Sequence, residues 1–108
     1  MTLVLPEPIE TYFIASNQSV AHRLKECFTQ DAVVLDEGGH YQGHTAIESW
    51  ALETREKYNY TAEPITIVHE NNTAVVTAKV TGNFPGSPIS LNYHFLLADR
   101  KIHSLEIG

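Results

Sequence analysis

The chain has 108 residues, 43% apolar and 19% charged, a globular composition for which one domain spanning residues 1–108 is the expected organisation. Thirteen acidic against seven basic residues give a formal charge of −6, which repels phosphate backbones and anionic lipid heads and argues against nucleic acid and membrane surfaces as partners. The single cysteine, Cys27, excludes an intrachain disulfide and fits a reducing, cytoplasmic setting, and Met1 to Leu5 lack the basic flank and length of a signal peptide or membrane span.

Pro6 and Pro8 suit a helix start, and Ile9, Tyr12, Phe13 and Ser16 recur at a spacing that places them on one helical face. Asn17-Gln18-Ser19 interrupts that pattern. From Val20 to Phe28 a second apolar stripe runs through Val20, Leu24, Cys27 and Phe28, with His22, Arg23, Lys25 and Glu26 on the wet side, so the two segments read as an amphipathic helical hairpin. Ala32-Val33-Val34-Leu35 is a short β-prone run closed by Asp36-Glu37-Gly38-Gly39, where glycines permit a sharp reversal. After a loop through His40, Gly43 and His44, Thr45 with Glu48 matches a capping box, and Ile47, Trp50, Ala51 and Thr54 continue a third helix to Lys57.

The second half changes period. Residues 60–69, 73–83, 88–98 and 101–107 are rich in Val, Ile, Thr, Tyr and Phe, and are separated by Asn71-Asn72, Pro85-Gly86 and Asp99-Arg100. They read as an antiparallel meander. Its third strand sets Ile89, Leu91, Tyr93, Phe95 and Leu97 against Ser90, Asn92, His94 and Leu96. Helices followed by strands predict an α+β fold with helices on one sheet face. The other face still carries apolar residues, which predicts a homodimer through the outer face of the sheet.

No phosphate loop, dinucleotide fingerprint, nucleophile elbow or Cys-x-x-Cys pair is present. Of the six histidines, His40 and His44 lie four apart with Glu37 nearby, but Gly43 between them in a loop does not fix them on one face, so no metal site is expected. His22, His69 and His103 read as surface residues, as do Arg23, Arg55 and Arg100, and Cys27 reads as a small buried hydrophobe. Asp36 differs in kind, because it ends an apolar strand. A carboxylate there either faces a hydrophobic cavity, where desolvation makes it a poised general base, or is an ordinary loop acid. His94 is either an oxyanion donor or a histidine satisfied by a neighbour, and Tyr12, on the inner stripe of the first helix, reads alone as core.

The order of helical hairpin, Phe28-Thr29-Gln30-Asp31-Ala32-Val33-Val34-Leu35-Asp36, Gly43-His44-Thr45-Ala46-Ile47-Glu48-Ser49-Trp50 and a sheet ending in Phe95-Leu96-Leu97-Ala98-Asp99-Arg100-Lys101-Ile102 resembles the nuclear transport factor 2-like superfamily. Within it, the pattern is similar to the ketosteroid isomerase and SnoaL-like polyketide cyclase branch. The resemblance implies a cone: a strongly curved antiparallel sheet, cystatin-like, wrapped around about three helices with a pocket between them. It places the proton-abstracting base on Asp36 and an oxyanion tyrosine on Tyr12. The second donor, an acid in the isomerases, falls on His94. Trp50, Phe13, Asn92 and Leu96 are the expected ligand-pocket residues. The implied chemistry is proton abstraction next to a carbonyl, leading to isomerisation or aldol-type cyclisation of a small apolar or aromatic carbonyl compound without a cofactor. A ligand-binding or protein-interaction module on the same fold is the alternative. A hydrolytic variant resembling epoxide hydrolases of the same fold needs an acid–base network with a second carboxylate and an arginine, which surface positions for Arg23, Arg55 and Arg100 disfavour.

Overall fold

The computed structural model describes residues 3–108, so the reading of Met1 and Thr2 lies outside the described residues. Helix α1 (Glu7–Asn17) begins directly after Pro6, with Pro8 in its first turn, where a missing N–H breaks no hydrogen bond. Ile9, Tyr12, Phe13, Ala15 and Ser16 form its buried face. The expected second helix is shorter than its stripe. A 3-10 turn (Ala21–Arg23) leads into the single turn α2 (Leu24–Cys27), and Phe28 already opens strand β1 (Phe28–Asp36). Leu24, Cys27 and Phe28 are buried as the stripe required, but at Phe28 the backbone turns extended and period two takes over.

Strand β2 (Gly39–Gln42) folds back on β1 through Glu37 and Gly38, both at positive φ, which is the backbone a two-residue hairpin needs. The segment expected as a loop is therefore a strand at His40, paired with Leu35, and a helix at His44. Helix α3 (His44–Tyr58) is started by Gly43 at φ 88 with no side-chain cap. The Thr45/Glu48 capping box does not form, because Thr45 is already inside the helix.

Strands β3 (Thr61–Glu70), β4 (Thr73–Thr81), β5 (Ile89–Ala98) and β6 (Lys101–Ile107) form the expected antiparallel meander, and the whole sheet runs in the order β2-β1-β6-β5-β4-β3. One pairing departs from the antiparallel expectation: β1 lies parallel to β6. The long path between them, through α3 and four strands, supplies the crossover that parallel neighbours require. Register shifts between Phe28 and Val33, Pro64 and Thr66, and Leu96 and Leu97 bend the sheet around the helices. Pro64 sits at such a shift on the edge strand β3, where its missing N–H interrupts the ladder least. The result is an α+β fold with a strongly curved, unclosed six-stranded sheet and three helices.

The concave face holds the core. Tyr12, Phe13, Phe28, Tyr93 and Phe95 interlock largely edge to face, with ring centroids such as Tyr12–Phe13 at 5.1 Å and Tyr12–Phe95 at 5.7 Å. Ala74 and Ala78 on β4 are buried, and their small side chains leave room for these rings. Among the described residues no helix is long and apolar enough to cross a membrane.

Candidate functional site

Period two along β1 points Ala32, Val34 and Asp36 to the concave side while Val33 and Leu35 point away. Asp36 is the last of these inward residues and the first polar one. In α3 the stripe Ile47, Trp50, Thr54 and Tyr58 continues from the core to the same end of the sheet, because side chains three and four apart share a face. Between Asp36 and this stripe opens a cavity of about 220 Å³. Its floor and far wall are Tyr60, Val80, Leu91 and Tyr93, and Glu37, Phe84, Ile89 and Ile107 surround its mouth.

Trp50, only 4% exposed, donates its Nε1–H to Asp36 Oδ2 at 3.0 Å. Burial raises the Asp36 pKa above the ordinary aspartate value. The Trp50 hydrogen bond opposes that shift, the neighbouring charge of Glu37 adds to it, and a hydrogen bond from the Glu37 backbone opposes it again. Tyr93 is 3% exposed, and its hydroxyl opens on the cavity with no hydrogen-bond partner among the described residues. Tyr60, by contrast, shares a 2.6 Å hydrogen bond with Ser16 Oγ. The phenols of Tyr12, Tyr60 and Tyr93 all titrate above the ordinary tyrosine value, chiefly through burial, with Asp36 adding a smaller repulsion in each case. They are hydrogen-bond donors throughout the neutral range. At the mouth, the Tyr58 hydroxyl donates to Glu37 Oε1 at 2.7 Å, and Phe84 meets the Tyr58 ring edge-on at 5.9 Å.

Asp36 and Trp50 thus line one cavity and share a hydrogen bond. Tyr12 lies one layer deeper, packed behind Tyr93 with centroids 6.2 Å apart, and Phe13 is a core residue beside it rather than a pocket wall. His94, Asn92 and Leu96 require correction. All three are exposed on the convex face, where Asn92 accepts a hydrogen bond from Thr77, so none reaches the cavity. The buried side of β5 is the more apolar one, with Tyr93 and Phe95, and a displacement of one residue exchanges the two faces. Tyr93 takes the inward place expected of His94. Its signal was present in the alternation of β5 itself. Glu37, Tyr58, Tyr60 and Phe84 were not picked out by sequence, since a turn, a helix end and a loop bring them together only in three dimensions.

Arg55 also departs from expectation. It is half-buried, donating through both Nη atoms to the carbonyls of Ser16 and Tyr60, and its guanidinium lies 4.5 Å from the centroid of the Tyr60 ring. It braces the floor of the cavity from behind. Cys27 is buried against the Leu24 carbonyl, and burial pushes its thiol pKa up to about 12. Among the described residues no three His, Cys, Asp or Glu side chains converge where a metal ion could sit.

The profile of the SnoaL-like domain family matches residues 9–102. Among solved structures, a protein of Sinorhizobium meliloti provisionally assigned as a polyketide cyclase is 41% identical, with 96% of this chain and 95% of that one covered at a TM-score of 0.93. An NTF2-like protein of unknown function from Cytophaga hutchinsonii is 16% identical over 99% of this chain and 91% of its own, at a TM-score of 0.79. A provisionally assigned isomerase of the SnoaL-like family from Agrobacterium tumefaciens is 15% identical over 94% of this chain and 92% of its own, at 0.77. No curated protein matches the chain.

Proposed function

We propose, from the premise that the chain belongs to the SnoaL-like domain family, that its cavity is the active site of an isomerase or cyclase acting by proton abstraction next to a carbonyl. The observation that carries this reading is Asp36. It is a carboxylate drawn out of water at the end of an apolar strand, held on one oxygen by Trp50, and facing a cavity into which the unpartnered Tyr93 hydroxyl also opens. Asp36 takes the proton from the carbon next to the substrate carbonyl; the C–H pair moves into the enolate, and the enolate oxygen accepts the Tyr93 hydrogen bond. Tyr12, packed behind Tyr93, holds the Tyr93 ring in place beneath that oxygen. For isomerisation, Asp36 returns the proton to another carbon. For cyclisation, the enolate carbon forms a bond to a second carbonyl, and Asp36 protonates the resulting alkoxide. The carbonyl acidifies its own neighbouring C–H, so base and donors suffice without a cofactor, and the apolar walls suit a small apolar or aromatic ketone.

The test is exchange of α-protons for deuterium in small aryl and alkyl ketones, followed by NMR with wild type and Asp36→Asn. Exchange that depends on Asp36 supports the reading. Equal exchange in both, or binding without exchange by any ketone, gives the site to a ligand-binding module instead.

The convex face supports a second part of the proposal, that two copies pair through it by a two-fold axis. Val68 is 66% exposed and sits in a cross-strand row with Val75, His94 and Glu106, with Leu96 at 38% nearby. With its thiol buried and no disulfide, we assign the protein to the cytoplasm.

A further inference from the structure

The mouth of the cavity has a charge that a neutral ketone does not use. Its lining includes two carboxylates, Asp36 and Glu37, and no lysine, arginine or histidine. The same lining presents aromatic faces and edges from Trp50, Tyr58, Tyr60, Phe84 and Tyr93. Aromatic rings beside carboxylates attract a soft cation, through ring quadrupole and charge together, far better than they attract an anion. The protein already demonstrates this with its own side chain: the Lys57 ammonium rests 4.9 Å from the centroid of the Tyr58 ring, whose hydroxyl is bonded to Glu37. The deep end is equally unspent, because Tyr93, 3% exposed, holds its hydroxyl toward the cavity without a partner.

We propose that the ligand of this site carries an ammonium group, bound at the mouth between the Glu37 carboxylate and the rings of Tyr58 and Phe84, while its polar acceptor reaches inward to Tyr93. The geometry separates the two ends. Glu37 is exposed and tied to Tyr58 at the rim, whereas Asp36 is half-buried and tied to Trp50 on the inner side. A cation at the rim therefore pairs with Glu37 and leaves Asp36 available to act as base. The proposal shares the cavity with the catalytic reading above but does not need turnover, so each is open to failure alone.

The experiment titrates choline and its uncharged carbon isostere, 3,3-dimethylbutan-1-ol, into the ¹⁵N-labelled protein, following the Trp50 indole N–H and the amides of Glu37, Tyr58 and Phe84. Both probes have the same shape and hydroxyl; only the charge differs. Choline is expected to bind at least ~10-fold more tightly than the alcohol, and Glu37→Gln to remove most of that difference. A second variant, Tyr58→Leu, removes the ring and is expected to weaken choline more than the alcohol. Equal or tighter binding of the alcohol, or a choline affinity unchanged by Glu37→Gln in a protein whose remaining amide spectrum is intact, overturns the proposal. Ketone exchange that depends on Asp36 alongside indifference to choline would leave the catalytic reading standing and remove this one.

Discussion

Trp50 Nε1 lies 3.0 Å from Asp36 Oδ2, and this single hydrogen bond joins the middle of α3 to the last residue of β1. The bond has two effects with opposite consequences for a base. It favours the charged carboxylate, holding down a pKa that burial raises, and it restrains the orientation of the carboxylate at the cavity wall.

Removing that donor separates the two effects. Trp50→Phe is expected to raise the Asp36 pKa further, because the charged form loses a partner. The acidic limb of the exchange–pH profile moves up with it, and the turnover plateau falls because the carboxylate is no longer held. Carbon-detected titration of the Asp36 carboxyl in both proteins measures the first effect directly. A pKa that stays put would mean the hydrogen bond does not act on the ionised form. The substitution also truncates a buried ring, so a loss of about 1–3 kcal/mol in stability accompanies it.

Asp36 also makes stability depend on pH, with the sign opposite to that of most carboxylates. Its folded pKa lies above the unfolded value of 3.8, so between the two the folded chain binds more protons than the unfolded one. The stability it contributes is full below the unfolded value and is lost as pH rises through the folded one. Asp36→Asn, which keeps the shape and drops the charge, is therefore expected to raise Tm by a few degrees at pH 7 while abolishing exchange. The gain should shrink towards zero as pH falls through 4. Thermal melts of both proteins from pH 3 to 8 check this, and a variant less stable at pH 7 would contradict it.

The two inner phenols are separable as well. Neither the Tyr93 nor the Tyr12 hydroxyl has a hydrogen-bond partner among the described residues, so Tyr93→Phe and Tyr12→Phe strip an oxygen without leaving an orphaned neighbour. Both variants are expected to fold with Tm nearly unchanged. Tyr93 faces the cavity, and its loss should lower kcat/KM by about 10²–10³, the usual cost of one oxyanion donor. Tyr12 stands a layer deeper and should cost about tenfold or less. The reverse order of effects would make Tyr12 the principal donor.

How far the site can be read from sequence depends on whether a residue's orientation is decided locally. Asp36 was legible because its parity with Ala32 and Val34 is fixed within one strand. Helical spacing puts Trp50 on the buried face of α3 but does not separate core from pocket, and only the family resemblance points it to the cavity. His94 failed although the alternation of β5 is clear, because the family resemblance was carried over one residue out of phase with the apolar side, and period two turns such a slip into a change of face. The parallel contact of β1 with β6 has no local signal at all, since its two strands are joined through most of the chain. Glu37, Tyr58 and Phe84 belong to the same class. Their meeting depends on the reversal at Glu37-Gly38 and on the loop at 82–88, not on spacing.

The outward position of His94 changes what that residue is expected to do. In the row Val68, Val75, His94 and Glu106 it is flanked by apolar side chains on one side and an acid on the other, a mixture suited to a polar contact within an interface rather than to catalysis. Sedimentation at micromolar concentration is expected to show a species of twice 12.1 kDa. Val68→Lys with Leu96→Lys adds four positive charges, two from each copy, to a two-fold interface through this face, so the double variant should sediment at 12.1 kDa. Both substitutions lie on the convex surface, away from the core, so the variant should retain the wild-type circular dichroism and the Asp36-dependent exchange. A wild type that sediments only as the 12.1 kDa species would remove the dimer, and a double variant that stays dimeric would move the interface to another face.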